Sequence, residues 1–215
     1  MKSALLKIIG VLVLAGGLSL HVPAQNVLTD GFPNRVGDTW TYLVRTSLLK
    51  DGSGYGGIPD TVYLTIIGNG FYNGDSVKIW QFKGRKLNED FELWIADKAE
   101  KIVITEAPAK LNRIPGVSGK VWPSLMFPLK VGNSTGTALN GVVTVKGISD
   151  IKVSAGNFTG CYEIDRAGGG FNCYFGNKFW YKENVGFVKF TVSVGDMCSD
   201  WANGDWELLS YQLKS

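Results

Sequence analysis

The stretch Thr61-Val62-Tyr63-Leu64-Thr65-Ile66 decides the fold. In an extended chain successive side chains point to opposite sides. Val62, Leu64 and Ile66 therefore share one face, and Thr61, Tyr63 and Thr65 share the other. A helix would scatter the same residues around its circumference. One apolar and one polar face mark a half-buried antiparallel strand. The alternation recurs outward in both directions. Trp40, Tyr42 and Val44 oppose Thr39, Thr41 and Arg45, while Phe91, Leu93 and Ile95 oppose Glu92, Trp94 and Ala96. Ile102 and Ile104 oppose Lys101 and Thr105, and Leu209, Tyr211 and Leu213 oppose Ser210 and Gln212.

Turn signals separate these runs, among them Asn69-Gly70, Asn73-Gly74-Asp75, Asn140-Gly141, Gly168-Gly169-Gly170 and Asn203-Gly204-Asp205. The spacing predicts about 10 to 12 short strands in a meander and leaves no room for parallel crossovers. No window carries a helical period over ten residues, although 97–101 and 107–113 could each form a single turn. The fold class is therefore all-β, an antiparallel meander. The Gly-rich loop 48–60 reads as a mobile hairpin tip or a binding loop. The 26 aromatic residues (Phe 11, Tyr 8, Trp 7) exclude a disordered chain.

Residues 1–24 read as a secretory signal peptide. Lys2 and Lys7 give a positive start, Ile8–Leu20 are apolar, and Val22-Pro23-Ala24 fits a small-residue cleavage site before Gln25. The apolar stretch is too short for a mature spanning helix, and no later segment is long enough. The expected product is one secreted or periplasmic β domain, 25–215. Removing Lys2 and Lys7 leaves 20 basic residues against 19 acidic ones, scattered along the chain. That balance gives no support to nucleic-acid binding. The one His, His21, leaves with the leader. Its loss excludes Ser-His-Asp, Cys-His and His-metal chemistry together and points to a non-enzyme without cofactor or metal.

One internal echo stands out. Phe32-Pro33-Asn34-Arg35-Val36-Gly37-Asp38 recurs as Phe127-Pro128-Leu129-Lys130-Val131-Gly132-Asn133. Pro fixes φ, Gly permits positive φ and Asp or Asn bonds nearby backbone, so each copy reads as a tight turn leading into a strand. The pair marks either two related half-sheets or two independent turns of like chemistry.

Four segments carry a resemblance. They are Phe32-Pro33 with Val36 to Tyr42; Val153-Ser154-Ala155-Gly156-Asn157-Phe158; Phe179-Trp180-Tyr181 with Val185 to Lys189; and Trp206-Glu207-Leu208 with Tyr211-Gln212-Leu213. In this order and spacing they resemble a group of secreted bacterial β-proteins of unassigned function, similar in architecture to the periplasmic lipoprotein carriers. The resemblance implies that the antiparallel meander forms a strongly curved sheet or incomplete barrel around an apolar cavity. The helices that plug a carrier's barrel, and the Arg that gates them, find no match in this chain, so lipid carriage does not carry over residue by residue.

The candidate ligand-binding residues fall in two sets. Trp40, Tyr42, Phe158, Trp180 and Phe187 are expected to fill the concave face. Trp94 shares a face with Glu92; it and Trp201 either stand exposed, where they could stack on sugar rings, or pack as core or rim like the other Trp, the reading that the high aromatic content favours. The function read from these sets is a secreted, non-catalytic binding or cell-envelope protein with an apolar concave face for a lipid-like ligand. The alternative is a carbohydrate-binding or adhesion module using exposed Trp. Partners are thus an apolar small molecule or a glycan.

Of three cysteines, Cys161, Cys173 and Cys198, strand parity sends Cys161 and Cys173 to opposite faces. A hairpin turning near Glu183-Val185 brings Cys173 opposite roughly 194–198, which favours a Cys173–Cys198 disulfide closing a loop of about 25 residues, worth roughly 3 kcal/mol. Three unpaired cysteines are the alternative. Asp196, Asp200, Asn203 and Asp205 could offer oxygen ligands to calcium, but turns use the same residues. Glu89, Asp90 and Glu92 could supply paired carboxylates or merely a solvated strand edge. Asn133-Ser134-Thr135 and Asn157-Phe158-Thr159 are glycosylation sequons.

Overall fold

The structure is a computed structural model and describes residues 31–46, 59–84, 91–98, 101–106, 123–137, 141–170, 173–194 and 203–214. Among them are twelve strands and no helix: β1 (Thr39–Thr46), β2 (Asp60–Tyr72), β3 (Asp75–Gly84), β4 (Phe91–Lys98), β5 (Lys101–Glu106), β6 (Leu125–Met126), β7 (Ser134–Thr137), β8 (Gly141–Val153), β9 (Gly156–Gly170), β10 (Cys173–Lys182), β11 (Gly186–Val194) and β12 (Asn203–Gln212). All pair antiparallel in one sheet, in the order β6-β5-β4-β3-β2-β1-β12-β11-β10-β9-β8-β7. The sheet curls into a nearly closed barrel with one unsealed seam, between β6 and β7. The meander predicted from the alternation, and the incomplete barrel that the resemblance implies, are what the chain forms.

The inward faces follow the sequence pattern. Val62, Leu64 and Ile66 of β2, Trp40, Tyr42 and Val44 of β1, and Leu93 and Ile95 of β4 are buried in one apolar core. Short turns gather at one end of the barrel, hereafter the turn end. They are Asn73-Gly74, both at positive φ (49° and 87°), Ser154-Ala155, and Glu183 to Val185. Asn-Gly suits that reversal because its twist matches the flanking strands. The strand ends joined by 47–58, 85–90, 107–122, 138–140, 171–172 and 195–202 lie at the opposite end, the loop end.

The internal echo marks two half-sheets. Both lead-in turns make the same bonds. Gly37 N donates to Ile66 O at 2.8 Å, and Gly132 N to Val145 O at 2.8 Å. Asp38 N donates to Arg35 O and Asn133 N to Lys130 O, at 2.9 and 3.0 Å. Ile66 N returns to Asp38 O and Val145 N to Asn133 O, both at 3.0 Å. Gly37 and Gly132 sit at φ 93° and 90°, where a β-carbon would be strained. Each lead-in turn precedes six strands, and the second strand of each set, β2 and β8, has 13 residues. Each of those strands carries a bulge just past the turn, at Ile66/Gly68 and at Val145/Gly147. Independent turns would not share partners, bulges and strand order.

Both lead-in segments also cap the turn end from inside. Phe32 stacks on Trp80 and Tyr181, with centroids 5.8 and 6.0 Å away, and Phe127 meets Phe32 edge-on at 6.0 Å. Trp80 Nε1 donates to Asn34 Oδ1 at 3.0 Å, and Tyr181 OH donates to Gly31 O at 2.7 Å. Arg35, Val36, Lys130 and Val131 face solvent.

The repeats differ in their second hairpin. The β8–β9 tip is fastened to β12: Ala155 N donates to Leu208 O at 2.9 Å, and Ser154 N and Oγ both donate to Glu207 Oε1 at 2.8 Å. Its apolar residues Ile151, Val153 and Phe158 join the core. The β2–β3 tip carries Phe71 in the open.

A seam cleft beside a filled interior

Among the described residues the barrel's own rings occupy much of its interior. From Trp40 the contacts run through Trp80 and Phe32 to Tyr181, then through Phe187, Phe179 and Phe190 to Trp206, each step 4.8–6.0 Å between centroids. Tyr42 and Phe82 close on Trp206 edge-on at 5.7 and 6.2 Å. Such pairs pack at the density of a protein core.

Four of the candidate ligand residues belong to this core. Trp40 is buried and donates from Nε1 to Val185 O at 2.6 Å. Tyr42 is buried and donates its hydroxyl to Phe187 O at 2.8 Å. Phe187 is buried between Phe179 and Tyr181. Burial pushes the Tyr42 phenol well above its ordinary range. Burial does the same to Tyr181, helped by the Glu183 carboxylate. Phe158 is buried near Tyr211, 6.2 Å away.

The other candidates lie elsewhere. Trp180 alternates with inward Phe179 and Tyr181 and so points outward rather than into the concave core. It is half-buried there, with Lys189 Nζ 5.3 Å and Lys178 Nζ 5.8 Å from the ring centroid. The Glu163 carboxylate, bonded to Lys178 Nζ at 2.7 Å, holds that ammonium above its usual pKa. Trp94 is half-buried, with Tyr72 edge-on to it at 5.6 Å and Nε1 left without a hydrogen-bond partner. Trp201 lies outside the described residues.

Cys198 also lies outside the described residues, as do Asp196, Asp200, Glu89 and Asp90. Cys161 is buried and free, its Sγ 3.5 Å from Phe158 O, and burial raises its thiol pKa. Among the described residues no cluster of His, Cys, Asp or Glu is placed to hold a metal. Glu92 sits half-buried on β4 opposite Gln81 of β3, and Asp205 on β12 opposite Arg45 and Thr191.

Among the described residues there is open space at the seam. A cleft of about 230 Å³ lies between β6 and the β7–β8 edge. Its floor is apolar, with Leu125, Leu129, Val143 and Val145, and Met126, Asn133, Ser134 and Thr135 form its rim. Ser134 Oγ and Thr144 Oγ1 share a hydrogen bond of 2.8 Å beside it. The volume falls short of the ~300 Å³ at which sites for drug-sized molecules begin. It suits a narrow apolar group. Two-residue β6 and four-residue β7 leave this edge short, which limits unwanted strand pairing.

The inward polar residues Arg166, Asn177 and Asp60 escaped notice in the sequence. All three are buried toward the loop end, and each is engaged by a partner. Arg166 and Asn177 face each other across β9 and β10. Burial pulls Arg166 down to about 10, so it keeps its charge at neutral pH. Parity could have found it, since Ile164 points inward and Arg166 is two residues on.

No family model and no curated protein matches the chain. Two solved structures are similar to it. One is a "putative exported protein with YMCC-like fold" from Bacteroides fragilis, 12% identical, covering 85% of this chain and 99% of that one at a TM-score of 0.48. The other is a "putative lipoprotein" from Parabacteroides distasonis, 10% identical, covering 86% and 99% at a TM-score of 0.42.

Proposed function

We propose that this is an exported, non-catalytic binding protein whose ligand lies in the seam and not in the barrel. The seam cleft carries the reading: an apolar floor, a polar rim and about 230 Å³ of space beside a core that the described rings fill. Export is supported by the leader-like residues 1–24, and the absence of catalysis by a chain without imidazole beyond His21. The ligand is lipid-like, a single acyl-sized chain lying over Val143 and Val145 with its polar end near Asn133 and Ser134. The glycan alternative needs a Trp face open to a sugar; of its two candidates, Trp94 is half-covered and Trp201 lies outside the described residues.

The test is titration of the processed protein with a fatty acid carrying an environment-sensitive fluorophore. Saturable binding is expected, weakened at least tenfold by Thr135→Trp, which fills the rim from a half-exposed position. No saturable binding, or equal binding by that variant, would sink the proposal. Quenching of Trp fluorescence by glycans, lost in Trp94→Ala, would favour the alternative.

A further inference from the structure

The turn end presents a surface that the seam does not explain. Its two lead-in turns place a cation beside an exposed aliphatic side chain twice, as Arg35-Val36 and Lys130-Val131, the valines 44% and 55% exposed. Phe71, on the β2–β3 hairpin, is 72% exposed, the highest value among the large exposed hydrophobic residues. Met126 is exposed at the turn-end terminus of β6. Single exposed apolar residues are ordinary, but four of them at one end of a barrel suit a contact surface.

The second repeat shows how unusual Phe71 is. The equivalent β8–β9 hairpin lies down on β12, and Ile151, Val153 and Phe158 near its tip are packed, although Ile148 farther down β8 is exposed. The strand that should receive the β2–β3 tip is β6, the counterpart of β12, and β6 has two residues. The tip therefore runs on: Gly37 marks the level of Ile66, and Phe71 lies five residues beyond it.

The charges around this surface choose its partner. Lys98, Lys101, Lys130 and Lys214 sit at strand ends or turns of the same end. Against them stand Asp75, held by Lys98 at 2.7 Å, Asp97, Asp150 and Glu183, while the Asp38 carboxylate is buried. An aromatic tip among aliphatic side chains, with cations at its margin, fits a bilayer whose headgroups are negative.

We propose that the turn end docks on an anionic lipid surface, with the β2–β3 tip inserted as a wedge. The proposal does not rest on the seam reading and stands if the seam binds nothing. It is tested by flotation of the processed chain, cut before Gln25, with phosphatidylcholine vesicles with and without one-quarter phosphatidylglycerol. An uncut apolar leader would bind vesicles by itself. Binding to the anionic vesicles is expected at least tenfold above the neutral ones and is expected to fall with added salt. Phe71→Ser, and separately Lys101→Glu with Lys130→Glu, should each lower it at least tenfold without moving the melting temperature. Tyr63→Ser, exposed but two strand residues below the turn, should leave it unchanged. Equal binding to both vesicle types, full binding by Phe71→Ser, or self-association lost with Phe71→Ser would each overturn the assignment.

Discussion

The same joint occurs twice in this barrel, and only one copy is closed. At the β1–β12 junction, eight residues of β1 each face a partner on β12. The C-terminal end is clamped as well: the Asp38 carboxylate accepts from Arg35 N and Lys214 N, both at 2.8 Å, and Arg35 Nη1 donates to Lys214 O at 2.9 Å. At the seam, the repeat's own counterparts are β7, with four residues, and β6, with two. They are not neighbours in the sheet. Duplication thus gave one chain a zipped joint that completes the core and an open joint with an apolar cleft. Stability is expected to live at the first and binding at the second.

The largest test of that division is a pair of truncations. Trp206 of β12 is buried against Phe190, Tyr42 and Phe82. Trp206→Ala is expected to cost about 3–5 kcal/mol, the usual range for emptying a buried aromatic site. Val143→Ala, at the cleft floor, removes two methyl-sized groups from a wall that already opens on space. It should cost about 1–2 kcal/mol. Urea unfolding midpoints read both. Equal costs would mean that the seam is as tightly built as the junction.

Alkali attacks the closed side next. Tyr42 and Tyr181 have phenols raised far above the ordinary value of ~10 by burial. A raised folded pKa means that the unfolded chain loses its proton first. The stability these phenols contribute is therefore complete below pH ~10 and is lost as pH climbs toward the folded values. Each phenol costs about 1.4 kcal/mol per pH unit in that window. The two together should remove about 3 kcal/mol by pH 11. Phenolate absorbance from them is expected to appear together with loss of the β signal in circular dichroism. A smooth titration of every tyrosine while the barrel stays folded would contradict their burial.

The clamp itself gives a smaller difference. Asp38→Ala leaves two backbone amides without their charged acceptor and should cost about 1.5–3 kcal/mol. Asn133 holds the same place in the other lead-in turn but is exposed, and Asn133→Ala is expected to stay within ~0.5 kcal/mol. If both substitutions cost the same, the clamp contributes nothing beyond the turn.

How far could the sequence foretell this asymmetry? Strand existence and facing were legible because burial on one side imposes period two, as in Val62, Leu64 and Ile66. The repeat was legible as Phe-Pro…Val-Gly-Asp and Phe-Pro…Val-Gly-Asn, although only the shared bonds to Ile66 and Val145 separate duplication from coincidence. Trp180 was misdirected by its neighbours: Phe179 and Tyr181 share a face, so the residue between them must take the other. The filled interior was not legible, since an inward ring reads the same whether it lines a cavity or meets Trp206. Parity put Trp94 on the face of Glu92 but could not say whether anything covers it; Tyr72 of the β2 overhang does, a contact between two strands that both pair with β3. The seam left no local signal at all. Whether Leu125 and Met126 pair for two residues or ten depends on how the whole sheet closes.

The gentlest comparison perturbs nothing. Backbone amides inside a zipped joint exchange with solvent only when the whole barrel unfolds, while those near an open edge exchange through local opening. Val44 and Trp206, facing each other across β1 and β12, should share the protection of global unfolding, and lowering total stability with urea should speed both equally. Thr135 and Gly136, on the outermost strand of the seam, should exchange faster and respond little to low urea. Adding a ligand that fills the cleft should slow Thr135 and leave Val44 unchanged, because the junction is already complete. Equal protection of β1 and β7 without ligand would show the seam closed in solution, and the proposed binding cleft would go with it.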